Sequence, residues 1–114
     1  MAKNALTAKT VIIKKPKPRT EKSIMLGIMQ ILGMKGWFCC RMPPSIYSKK
    51  GIPDLYVLKE GFHAWIEVKC KAGKLSDEQR RFGEMIDRAG GNYIVARSES
   101  YAVDTLQAIK EAAT

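Results

Sequence analysis

The chain has 114 residues, 46% of them hydrophobic, and a net charge of +9. That length sets one domain as the expectation, with enough apolar residues for a core of its own. No apolar run reaches the ~20 residues of a membrane span, and the N-terminus lacks a signal-peptide stretch, so a cytoplasmic location is expected. The three cysteines, Cys39, Cys40 and Cys70, form no C-x-x-C. They read as reduced thiols rather than as a disulfide framework or a zinc site.

Residues 1–19 read as a flexible basic arm, because "KKPKPR" alternates charge with proline. A folded domain is expected over 20–114. Thr20 is placed to cap a first helix over about 21–35, with Glu21 in its first turn and Gly36 at its end. Its apolar residues, from Ile24 to Met34, cover almost the whole circumference, which predicts burial on more than one side. The cover is either the chain's own sheet and last helix or a second chain.

"WFCCRM" at 37–42 reads as a strand, and "PPSIYSKKG" at 43–51 as a polar, basic loop. Strands are predicted at 54–59 and 63–70, joined by a turn at Glu60-Gly61, with His63 as a turn residue. Ser76 caps a helix over about 77–89, which Gly90-Gly91 stops. "NYIVAR" is a further strand, and Ser98 or Ser100 caps a last helix ending near 112. The order is α-β-β-β-α-β-α, an α/β fold with a mixed sheet flanked by helices.

Charge divides unevenly. Residues 1–53 hold 11 Lys/Arg and a single acid, Glu21, whereas residues 54–114 hold 9 Lys/Arg and 10 acids. A basic half beside a near-neutral half points to a polyanion partner, most simply nucleic acid. The arm supplies six of those charges; Lys35, Arg41, Lys49 and Lys50 lie within the folded part.

The hairpin GIPDLYVLKEGFHAWIEVK carries charge where strands prefer apolar residues. Alternation puts Trp65, Glu67 and Lys69 on one face and Ala64, Ile66 and Val68 on the other. An antiparallel neighbour can bring Asp54 beside Glu67. Two carboxylates held together repel unless a cation lies between them. Oxygen ligands suit Mg²⁺ or Mn²⁺, and a lysine nearby can serve a water or offset phosphate charge. The competing reading is a surface Lys–Glu pair with a turn aspartate, and D-x12-E-x-K spacing alone does not choose between them.

The strings "GIPDLYVL" (51–58), "AWIEVKCKAGKLSDEQ" (64–79) and "AGG" with the following strand (89–96) resemble the VRR-NUC family of the PD-(D/E)XK nuclease superfamily. The resemblance spans about residues 20–110. It implies a restriction-endonuclease-like core and a metal-dependent, structure-selective DNA endonuclease. Short members of the family are phage or bacterial proteins that are dimeric and similar to Holliday-junction resolvases.

Carried over by position, Asp54, Glu67 and the Val68 carbonyl would hold Mg²⁺, with Mn²⁺ able to substitute. Lys69 would serve the attacking water. Glu21 matches an acid on the superfamily's first helix, and equally a helix-dipole residue. Gln79 matches a family glutamine, and also the capping box Ser76-x-x-Gln79. Arg41, Ser45, Tyr47, Lys49, Lys50 and Lys71 are the candidate DNA contacts. A homodimer is expected, with Met25, Met29 or Leu32 near its interface. Two other roles stay open: a DNA-binding or architectural module, and a nuclease subunit working with a separate helicase or repair partner.

Overall fold

In the computed structural model, which describes residues 17–43 and 49–114, the Thr20 side chain accepts a 3.0 Å hydrogen bond from the Ser23 amide and starts α1, Glu21–Met34. The strands are β1 (Phe38–Arg41), β2 (Leu55–Lys59), β3 (Phe62–Val68) and β4 (Tyr93–Ala96). The remaining helices are α2 (Asp77–Arg88) and α3 (Glu99–Ala112), the latter capped by Ser98. This is the α-β-β-β-α-β-α order expected from the sequence.

The sheet runs β1-β2-β3-β4, antiparallel through β3 and parallel between β3 and β4. Glu60 and Gly61 both take positive φ, 51° and 80°, as a two-residue hairpin turn requires. His63 lies within β3 rather than in this turn; its ring packs near that of Tyr56. The turn is so tight that the strand resumes at Phe62.

Alternation sorts the sheet's two faces. Leu55 and Val57 on β2, and Ala64, Ile66 and Val68 on β3, are buried with Ile24, Ile28 and Leu32 of α1 and Ala102 and Leu106 of α3. This is the main core, with α1 and α3 on one side of the sheet. On the other face α2 covers β3 and β4. Phe82 meets Trp65 edge-on at 5.8 Å, and Gly83 lies against the Tyr93 ring.

The apolar girth of α1 is not buried all round. Ile24, Met25, Ile28 and Leu32 face inward, whereas Leu26 and Met34 are exposed. Met25 and Leu32 therefore belong to the chain's own core, and Met29 packs against it. These three do not form a free surface for a second chain. The apolar side chains left exposed near this end are Met34, Phe38 and Leu58, the last two paired across β1 and β2.

Candidate active site

The antiparallel register pairs Leu55 with Ile66. Stepping one residue outward sets Asp54 opposite Glu67, both on the face that α2 covers. Asp54 sits just before β2, in a bend rather than in the strand. Pro53 before it is fully buried. Gly51 has φ +85°, and a side chain there would run into the Glu78 carbonyl. "GIPD" is thus a close-fitting corner between β2 and the start of α2, and it fixes where Asp54 points.

Asp54 Oδ2 accepts a 2.8 Å hydrogen bond from the Val68 amide. In an extended strand a residue's N–H and C=O leave by the same edge, so the Val68 carbonyl also faces the Asp54 side. The Lys69 amide turns the other way and donates to Ala96 O at 2.9 Å.

Glu67 is only 2% exposed, and its Oε1 has no hydrogen-bond partner. Burial and then the neighbouring Asp54 carboxylate push its pKa up to about 9, against an opposing pull from Lys69. An orphan buried carboxylate is costly. Either a proton or a cation has to satisfy it. Lys69 is itself 9% exposed and projects on Glu67's face. Two carboxylates with an adjacent carbonyl are the donors a hard divalent cation accepts, the rest of its shell being water. Among the described residues, no group of three metal-ligating side chains is gathered. The residues thus fit a cation held by two carboxylates and a backbone oxygen.

Glu21 lines one pocket with Asp54, Arg41 and Val68 but stays outside a three-carboxylate cluster. Its Oε2 accepts from the Cys70 amide at 3.4 Å. Helix α1 thus reaches the turn that follows Lys69. Gln79 completes the capping box: its Oε1 accepts from the Ser76 amide at 2.9 Å, and its own amide donates to Ser76 Oγ at 3.1 Å. Gln79 also lines the pocket that holds Asp54, Lys49 and Lys50, so the cap and the site share this residue.

Lys49 lies over the Phe82 ring at 5.7 Å. Arg41, at the end of β1, and Lys71, after β3, are exposed. Ser45 and Tyr47 fall outside the described residues.

Two residues here were not singled out from the sequence. The Tyr93 hydroxyl is buried without a partner, on the sheet face that carries Glu67, and burial followed by the charges of Glu67 and Asp54 holds its pKa up. Its position in "GGNYIVA" reads only as strand. Arg97 donates to the Cys70 and Gly73 carbonyls, at 2.8 and 2.6 Å, and so braces the turn after Lys69. A lone arginine at a strand end carries no signal of that contact.

Residues 46–100 match the sequence profile of the VRR-NUC domain. The fold is similar to two solved structures. One, a "VRR_NUC domain", has a TM-score of 0.66 at 23% identity, over 78% of this chain and 97% of that one. The other, a "VRR_NUC domain protein", has a TM-score of 0.66 at 20% identity, over 80% of this chain and 88% of that one. No curated protein matches the chain.

Proposed function

We propose that the chain, of which residues 46–100 match the VRR-NUC domain, is a divalent-metal-dependent endonuclease hydrolysing phosphodiester bonds in branched DNA. The observation that carries this reading is the buried Glu67 Oε1, unpartnered beside Asp54. A like-charge pair with an orphan oxygen is costly unless a proton or a cation satisfies it, and a cation between the two carboxylates satisfies both at once.

Asp54, Glu67 and the Val68 carbonyl would hold Mg²⁺, which when bound would supply Lewis-acid polarisation of the phosphoryl oxygen. The Val68 amide keeps Asp54 aimed at the site through its 2.8 Å bond. Lys69, restrained by burial, orients the attacking water and offsets charge developing on the phosphate. The water oxygen forms the new P–O bond and gives up a proton, the bond to the departing strand's oxygen breaks, and that oxygen takes up a proton in turn, so that water is added across the bond with no net change in protons. Glu21 steadies the turn after Lys69 through the Cys70 amide. Lys49, Lys50 and Arg41 hold backbone phosphates on either side of Asp54.

Junction cleavage calls for two matched cuts, which a C₂ homodimer provides. The exposed Phe38–Leu58 pair and Met34 offer one apolar surface for it. Incubation of matched four-way, flapped and linear DNAs with Mg²⁺ or Ca²⁺ tests the reading. Cutting of the branched DNAs in Mg²⁺, with binding but little cutting in Ca²⁺, is expected. Equal cutting in a metal chelator would refute it. Sedimentation at micromolar concentration tests the dimer, and a single-chain mass with paired junction cuts intact would exclude it.

A further inference from the structure

The carboxylates stand between two cationic stretches. On one side Lys49 and Lys50 line the pocket that Asp54 shares with Gln79. On the other, the turn after Lys69 opens onto a groove of about 750 Å³. Lys17, Lys71 and Arg97 line it, together with the apolar Pro18, Ile24 and Ala72. Its one acid, Glu99, is paired with Arg19. Among the described residues, no carboxylate pairs with Lys17, Lys71 or Arg97. Among the described residues the hydrogen bonds of Arg97 go to the neutral Cys70 and Gly73 carbonyls, which leave its charge uncompensated.

A neighbouring hollow shares Arg97 and Ser98 with this groove and is walled by Tyr101, whose side chain on α3 belongs to a residue 54% exposed. Cations beside apolar side chains, with an exposed aromatic ring alongside, match what unpaired nucleotides need. Their phosphates meet the cations, and their bases find a flat apolar surface. A duplex keeps its bases stacked inside and would use the cations alone. The groove is also close to the chemistry. Cys70, which lines it, follows Lys69 directly and holds Glu21 through its amide.

We propose that this groove binds the single-stranded DNA segment adjoining the cleaved bond, with Tyr101 as its stacking platform and Lys17, Lys71 and Arg97 on its phosphates. The proposal rests on the DNA reading above and narrows it to substrates with an unpaired arm.

The test compares full-length wild type with Tyr101→Ala and Tyr101→Trp, by fluorescence anisotropy in Ca²⁺. The probes are a duplex with a single-stranded extension and the same duplex with blunt ends. Loss of one base–aromatic stack costs roughly tenfold in affinity. Tyr101→Ala is therefore expected to bind the extended DNA about tenfold more weakly, to leave blunt-duplex binding unchanged, and to be rescued by Tyr101→Trp. An iodouracil placed in the extension should photocrosslink to Tyr101. Equal weakening on both DNAs, or no change on either, would overturn the groove assignment while leaving the nuclease reading standing. If the wild type binds neither DNA, the DNA reading itself fails, and this proposal with it.

Discussion

Asp54 Oδ2 takes the Val68 amide at 2.8 Å, a side chain continuing the β2–β3 ladder where backbone pairing stops. One carboxylate thereby does two jobs. It closes the end of the hairpin, and it fixes the Val68 carbonyl and Glu67 relative to itself. Substitutions at Asp54 can separate these roles. Asp54→Asn keeps an acceptor for the Val68 amide but loses the charge, whereas Asp54→Ala leaves that amide orphaned. Both should lose cleavage by more than the roughly 10- to 100-fold that an outer-shell metal partner is worth. Only Asp54→Ala should also lose stability, by about 1–3 kcal/mol. Chemical denaturation beside a cleavage assay checks this, and full activity in Asp54→Asn would sink the ligand assignment.

The raised pKa of Glu67 makes metal-free stability depend on pH. Its folded value is about 9, above the ordinary carboxyl value of 4.5. Between these two, the folded state holds a proton that the unfolded state has released. The stabilisation is complete below about pH 4.5 and is lost as pH rises toward 9, with a slope of at most about 1.4 kcal/mol per pH unit. Glu67→Gln should flatten this slope and abolish cleavage. Mg²⁺ should flatten it in the wild type, because the cation replaces the proton. Thermal melts across the range with chelator, with Mg²⁺ and in the variant give the comparison; identical slopes in all three would contradict the assignment.

Lys69→Ala should slow single-turnover cleavage by about 10² or more if the ammonium serves the attacking water. Binding measured in Ca²⁺ should weaken much less. Parallel losses in rate and affinity would reduce Lys69 to a phosphate contact.

For Gln79 the conservative change is the informative one. Glutamate also completes a capping box with Ser76. Gln79→Glu should therefore keep the melting temperature while placing a further negative charge in the pocket that Asp54 lines. A lower cleavage rate at unchanged stability is expected. Gln79→Ala should lose about 1 kcal/mol from the cap. Wild-type cleavage by Gln79→Glu would restrict the residue to capping.

The Tyr93 hydroxyl is buried without a partner. Tyr93→Phe should therefore be neutral or stabilising, by up to about 1–3 kcal/mol, in metal-free buffer. Gly83→Ala should do the reverse. A Cβ at 83 would lie 2.6 Å from the Tyr93 ring, and overpacking of that kind costs about 1–3 kcal/mol. A Gly83→Ala protein as stable as wild type would mean α2 moves away from the sheet easily.

The sequence by itself determined the element order, the helix caps at Thr20 and Ser76, the choice of Ser98 or Ser100 for the last cap, and the faces of the residues from Ala64 to Lys69. These follow from local rules: period-two alternation, side-chain capping and the backbone demands of a Glu-Gly turn. For the same reason the juxtaposition of Asp54 and Glu67 could be read before any coordinates, since antiparallel neighbours in a tight hairpin have little freedom of register. What only the tertiary structure decided depends on contacts between distant segments. The apolar girth of α1 did not reveal that Met25 and Leu32 face the chain's own core, because a helix pattern does not say which neighbour covers which side. Tyr93 and Arg97 reach the site from β4 and its end, more than twenty residues from the hairpin, through parallel pairing whose register no short turn sets. The groove between the start of α1 and the turn after Lys69 likewise exists only once α1, β3 and β4 are packed together, so Lys71 could be read as a DNA contact but not grouped with Lys17 and Arg97.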